Sequence, residues 1–241
     1  MNKNLIVPIA KDYGDNHTFP YIFSFANNGL LVCLQSIRGL QLDSFDLIYF
    51  TLLKKYDDLF DVKTILEMQF KRLGLNNAEV LLLEKGTLSE PETIYQTVKQ
   101  KKITGGIYIK DADCFFTCEE PVMNSVMVSS LEIERNVNPQ DKSYVVIDDS
   151  FYITNTIEKK VVSKYFTAGG YYFSDAQEFC SYFEKIGNIK GLYLSHIVYA
   201  MLLDKKNFRP IQVENYLDWE RTELFEYYEN TGEGADDRKL Q

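Results

Sequence analysis

Residues Ile103–Cys118, ITGGIYIKDADCFFTC, decide how the chain is read. Gly105-Gly106 marks a turn. Ile107-Tyr108-Ile109-Lys110 is β-branched and aromatic, and too short for a helix, so it predicts a strand. Asp111-Ala112-Asp113 follows at once. Two carboxylates at the C-terminal end of a buried strand sit where open α/β sheets bind ligands. Carboxylate oxygens suit hard divalent cations, and such an ion would hold a nucleotide's phosphates. Paired aspartates also serve turns by bonding their own backbone. On these residues alone both readings stay open.

Outward from this stretch, strand and helix alternate. Leu5–Ile9 predicts a first buried strand. A polar loop follows, Ala10–Pro20, of the kind found at a ligand-facing strand end. Leu30, Leu31, Leu34 and Ile37 repeat at helical spacing and predict a helix over Asn28–Gln41. Leu47–Phe50 predicts a strand, Val62–Leu73 a helix stopped at Gly74, and Glu79–Leu83 a third strand. Ser89 caps the next helix, which runs to about Gln100 with Glu92 in the capping-box position. This alternation predicts an α/β, three-layer Rossmann-like fold with a mostly parallel central sheet.

The second half reads differently and predicts a small antiparallel annex. Asn124–Glu134, Lys142–Ile147 and Phe151–Glu158 read as strands, with a hairpin turn at Asp148-Asp149-Ser150. Gly169–Phe173 is a further strand. Ser174 or Asp175 caps a helix to about Ile186. Tyr193–Leu203 predicts another helix, Arg209–Val213 a late strand, and Leu217–Glu229 a terminal helix. Residues 1–230 are expected to form one domain, with 231–241 a polar, flexible tail.

The totals exclude several classes. A length of 241 residues suits one large domain. The net charge of −9 repels a phosphate backbone, so no nucleic acid is expected as partner. Cys33, Cys114, Cys118 and Cys180 form no CxxC pair, and there are only two histidines. That argues against structural zinc and for a reducing, cytoplasmic compartment. The short apolar run in MNKNLIVPIAKD reads as a strand, not as a signal peptide or membrane span, so no membrane partner is expected. His17 and His196 lack the neighbours of a nucleophile and its base, and read as structural. His196 is the one placed nearer the cleft.

The arrangement resembles the sugar-nucleotide pyrophosphorylase, or nucleotidyltransferase, family, whose fold is GT-A-like. Ile107–Phe116 looks like that family's strand ending in a metal-binding aspartate, with Asp113 in that position. Phe151–Phe173, FYITNTIEKKVVSKYFTAGGYYF, is the most specific piece. It resembles the family's β-hairpin, Glu-Lys pair and small-Gly-x-Tyr-x-Phe strand. The resemblance implies that Glu158, Lys159, Gly169 and Gly170 contact the sugar or its phosphate. Tyr216-Leu217-Asp218-Trp219 resembles the segment that gives a second metal ligand, Asp218. The helix start Ser89–Ile94, with Glu92, looks like the one that faces the base. The implied cofactor is Mg²⁺, held by Asp113 and Asp218. The implied partners are a nucleoside triphosphate and a sugar phosphate or sugar nucleotide; self-association into a homo-oligomer stays open. The implied activity joins a nucleoside monophosphate unit to a sugar phosphate, or similar small compound, for capsule or surface polysaccharide synthesis.

The phosphate loop departs from the family's pattern. Ala10–His17 has one glycine, no arginine, and carboxylates at Asp12 and Asp15. Tyr21 stands where the family has a lysine, and Glu220-Arg221 replace a Gly-Thr pair. Ala10 would offer backbone to the triphosphate and Lys11 would replace part of the missing positive charge, while the acidic loop should repel it. Two further readings therefore stand. One is a degenerate relative that only binds nucleotide or sugar nucleotide. The other is a GT-A glycosyltransferase using Asp111-Ala112-Asp113 as its metal motif.

Overall fold

The structure is a computed structural model, and it describes residues 2–12, 14, 19–134 and 137–219. The strands are β1 (Lys3–Ile9), β2 (Leu47–Leu53), β3 (Ala78–Leu83), β4 (Gly106–Lys110), β5 (Cys114–Thr117), β6 (Ser125–Ser130), β7 (Ser143–Ile147), β8 (Ile153–Glu158), β9 (Tyr165–Phe173), β10 (Arg209–Gln212) and β11 (Glu214–Asp218). The helices are α1 (Val32–Gln35), α2 (Lys54–Phe60), α3 (Val62–Leu73), α4 (Glu90–Lys101), α5 (Ala176–Ile186) and α6 (Leu194–Leu203).

The central sheet runs β10-β6-β9-β4-β1-β2-β3, with the β7–β8 hairpin attached beside β9. β3, β2, β1 and β4 are mutually parallel, as are β6 and β10; β9 is antiparallel to both β4 and β6. A separate two-stranded antiparallel sheet joins β5 to β11. The fold is thus mixed α/β, with a mostly parallel central sheet and a small antiparallel one.

Both faces of the sheet are buried, which explains the unbroken apolar runs of its strands. Leu5, Val7 and Ile9 of β1 face one core with Phe50, Leu66 and Phe70. Ile6 faces the other, with Ile94 of α4, Phe179 of α5 and Ile197 of α6. Ser89 caps α4, accepting a hydrogen bond from the Glu92 backbone N–H, and Gly74 ends α3 in the left-handed conformation (φ 71°).

Two expected helices differ. The helix over Asn28–Gln41 is only the short α1, Val32–Gln35. Leu30, Leu31, Leu34 and Ile37 are all buried, so the apolar pattern is real. The backbone is broken by Gly29 at φ +77°, and a side chain on Gly39 would collide with the Phe116 carbonyl. Where a helix was expected from Leu217, the chain runs as β11. Tyr216 and Asp218 are buried with period two, and Trp219 stacks on Phe115 at 6.3 Å. The remainder of that stretch, the Glu220-Arg221 departure, the domain end at 230 and the 231–241 tail lie outside the described residues. Sequence periodicity also missed α2, which follows β2 directly and joins α3 through Asp61 at φ 52°.

Candidate active site

A cleft opens past the C-terminal ends of β1 and β4. It has two lobes. The larger, about 550 Å³, is lined by Ala10, Lys11, Tyr21, Ser89 and Thr93. The smaller, about 290 Å³, is lined by Lys142, Glu158, Lys159, Gly169 and Asp218. Lys11, Glu90, Asp111, Asp113 and Tyr193 border both.

The β5–β11 pairing brings Asp113 and Asp218 together. Asp218 lies opposite Cys114 in that register, and the Trp219 N–H donates to the Asp113 carbonyl at 2.8 Å. Asp218 is only 7% exposed, and its Oδ2 lies 2.6 Å from Lys142 Nζ. Lys142 was not read as a functional residue. It is placed by the β7–β8 register, which sets Ser143 opposite Glu158, and the Lys159 N–H donates to the Lys142 carbonyl at 3.1 Å. A β-bulge between Val146 and Ile147 shifts that register by one, so counting from the Asp148 turn would have set Lys142 itself opposite Glu158.

Glu158 accepts hydrogen bonds from the hydroxyls of Ser143 and, at 2.7 Å, of Ser195. Lys159 holds a left-handed backbone (φ 52°) and donates from Nζ to the Tyr193 hydroxyl at 3.0 Å. That contact holds its ammonium above the ordinary lysine range. His196 is not among the cleft residues. Its Nδ1 accepts from the Tyr193 N–H at 3.0 Å, closing the start of α6.

The two glycines of β9 have packing partners. A Cβ on Gly169, whose φ is +78°, would lie 2.7 Å from Cys114 Sγ and 2.8 Å from Asp111 Oδ2. A Cβ on Gly170 would meet Phe116 at 2.7 Å and Met127 at 2.9 Å. Gly169 borders the small lobe, whereas Gly170 faces the core. Expected as a contact to sugar, Gly170 is instead where β9 crosses an aromatic ring.

Glu92 turns away from the cleft and its carboxylate accepts the Leu88 N–H at 2.6 Å. Glu90, a helix-start acid with no role in the sequence reading, borders both lobes instead. Glu90 is pushed well above the usual carboxylate range, first by burial and then by the charge of the neighbouring Asp111. Glu90 Oε1 and Asp111 Oδ1 are sealed from solvent without hydrogen-bond partners. Lys110 is fully buried behind them, and its Nζ donates to the Asp111 and Cys114 carbonyls, each at 2.7 Å.

In the loop after β1, Asp12 pairs with Lys55 of α2, which also donates to the Gly14 carbonyl at 3.2 Å. The Lys55 ammonium holds the Asp12 carboxyl below the usual range. The expected repulsion from Asp12 is therefore answered by a cation from another element. Tyr13, Asp15, Asn16 and His17 lie outside the described residues.

Among the described residues no three His, Cys, Asp or Glu side chains form a metal cage. Asp113 and Asp218 nevertheless share one lobe beside two carboxyls with orphaned oxygens. An all-oxygen, incomplete donor set fits a hard cation that takes its other ligands from water and substrate phosphates. Among the described residues, no helix is long and apolar enough to cross a membrane.

No protein-family model matches the chain, and no curated protein does. Solved structures do. The nucleoside-diphosphate-sugar pyrophosphorylase of Vibrio cholerae RC9 superposes with a TM-score of 0.78 at 13% identity, over 94% of this chain and 99% of that one. The inositol-1-phosphate CTP transferase of T. maritima superposes at 0.70 and 13% identity, over 94% of each chain. A UDP-glucose pyrophosphorylase complexed with UDP-glucose superposes at 0.71 and 11% identity, over 96% of this chain and 98% of that one. At these identities the likeness is one of fold, the Rossmann-like fold of nucleotidyltransferases.

Proposed function

We propose that the chain is a Mg²⁺-dependent nucleotidyltransferase. It would join a nucleoside monophosphate unit from a triphosphate to a sugar phosphate, or a similar small phosphorylated compound. The observation that carries this reading is the β5–β11 pairing, which sets Asp218 in the smaller lobe with Asp113, the latter bordering both lobes. A cleft of that form would hold two substrates, with Asp113 between them. The larger lobe suits the nucleotide, with Ala10 backbone and Lys11 at its phosphates. The smaller suits the acceptor, with Glu158 accepting hydroxyls and Lys159 at the phosphate. Asp113 and Asp218 would hold the Mg²⁺, which when bound offsets the negative charge of both substrates. An acceptor phosphate oxygen forms the new bond to the α-phosphorus, and pyrophosphate leaves with the electrons of the broken P–O bond. Positioning and charge compensation do the work, and no protein nucleophile is needed. Surface polysaccharide synthesis in the cytoplasm is the setting this activity would serve.

The test is pyrophosphate release with each of the four ribonucleoside triphosphates, a panel of sugar 1-phosphates and MgCl₂. Release with one triphosphate and one acceptor, abolished by EDTA, is expected. Mg²⁺-dependent binding of a triphosphate with no turnover across the panel would favour the binding-only reading, which the substituted phosphate loop supports. The glycosyltransferase reading is less well supported, because Asp111 packs on Gly169 and Glu90.

A further inference from the structure

Lys110, the last residue of β4, commits a buried charge to a single turn. Its side chain is fully buried, and its ammonium has three acceptors: the Asp111 carbonyl at 2.7 Å, the Cys114 carbonyl at 2.7 Å and Cys114 Sγ at 2.9 Å. A lysine has three N–H donors, so all three are used, and none of these acceptors is a carboxylate. The Phe116 ring lies against the same ammonium, its centroid 4.6 Å from Nζ. Burying a charge without a counter-ion is costly, and a neutral donor would close a turn at less cost. The two carbonyls that Lys110 ties bracket Ala112 and Asp113, between the end of β4 and the start of β5. Two backbone bonds also reach this turn: the Asp111 N–H donates to the Gly169 carbonyl at 2.9 Å, and the Trp219 N–H to the Asp113 carbonyl at 2.8 Å. Neither involves the two carbonyls that Lys110 takes.

We propose that Lys110 is a positioning residue for the cation: its ammonium fixes the Asp111–Cys114 turn and so holds the Asp113 carboxylate in place for Mg²⁺. The inference rests on the cation site proposed above and adds to it the residue that preorganises that site. Groups that orient the ligands of a metal commonly account for about tenfold to a hundredfold of its affinity. Two effects of opposite sign separate positioning from plain electrostatics. By charge alone, removing an ammonium from beside two carboxylates strengthens cation binding. By positioning, removing it weakens binding, because the cation must then order the turn itself.

The experiment is a titration of the full chain, free of nucleotide, with MnCl₂ as a paramagnetic probe of the Mg²⁺ site, the unbound ion being counted by electron paramagnetic resonance. Lys110→Met is expected to bind Mn²⁺ about tenfold more weakly than the wild-type chain, the lower end of that range. Lys110→Gln, with one donor fewer and no charge, carries the same expectation if the methionine variant does not fold; melting curves establish that each variant is folded. A folded variant that binds Mn²⁺ as well as the wild-type chain, or better, would overturn the role of Lys110. So would the failure of both variants to fold, since Lys110 would then be a residue of the core and not of the site. Asp113→Asn separates the two claims. Wild-type binding no tighter than that of Asp113→Asn overturns the cation site, and with it both the nucleotidyltransferase reading and the inference. Loss of the ion in Asp113→Asn, with wild-type affinity in Lys110→Met, overturns only the role of Lys110.

Discussion

Gly169 and Asp111 touch where a side chain would stand: a Cβ on the glycine would lie 2.8 Å from Asp111 Oδ2. The Asp111 N–H also donates to the Gly169 carbonyl at 2.9 Å. The glycine thus lets the acidic strand end of β4 close onto β9. Gly169→Ala should lose about 1–3 kcal/mol, from overpacking together with the left-handed backbone at φ +78°. Denaturant unfolding measures this, and an unchanged midpoint would show that Asp111 has room to move.

Glu90 predicts a pH dependence. Its carboxyl is raised above the ordinary 4.5 by burial and by Asp111, so the folded chain keeps a proton that the unfolded chain releases. The stability it contributes is full below that ordinary value and is lost as pH rises through the raised one. Glu90→Gln removes the titration. The variant should therefore gain on the wild-type chain as pH rises from 5 to 8, by on the order of 1 kcal/mol, the scale of one buried unpaired polar group. Melting temperatures across that range give the answer, and a constant difference would show that Glu90 ionises normally.

Asp113→Asn should abolish pyrophosphate release while leaving the melting temperature within a few degrees of the wild-type value. The Asp113 carbonyl, not its carboxylate, accepts the Trp219 N–H that ties β11 in place. Retained turnover in this variant would sink the metal assignment.

Lys55→Ala leaves Asp12 without its cation, next in the chain to Lys11 of the larger lobe. The pair is partly exposed, so its removal should cost less than about 1 kcal/mol of stability. Triphosphate affinity should fall several-fold, and more at low salt than at high salt, because exposed charges are screened. Calorimetric titration at two ionic strengths tests it; equal affinity in both chains would mean that the nucleotide never approaches Asp12.

The fold was legible because its central strands are apolar on both faces and its helices carry caps at Ser89, Gly74 and Asp175. The misread helices have a common cause. Leu30, Leu31, Leu34 and Ile37 satisfy a helical period, yet contacts with Phe116 across the fold dictate the backbone at Gly39. The run after Glu214 has an apolar pattern too short to separate helix from strand, and its partner β5 is far away in sequence. The site residues on local motifs, Asp113, Glu158 and Lys159, fall in the cleft. Lys142, Glu90 and Lys55 carry no local motif. Their meaning arises only when a register, a helix start or a separate helix sets them against another charge. Glu92 shows the same limit: the two-residue step from Glu90 to Glu92 turns the side chain by about 200° round the helix.

The β5–β11 ladder also bears on how the molecule is made. Its two strands are about a hundred residues apart, the kind of long-range closure that comes late in folding because chain entropy opposes it. A chain leaving the ribosome can assemble β1 to β4 and their covering helices well before Asp218 has been synthesised. Chains that stop short of Tyr216 would lack both that buried ring of the main core and Asp218 of the transferase centre proposed here, so completing the core and completing the site are one late event.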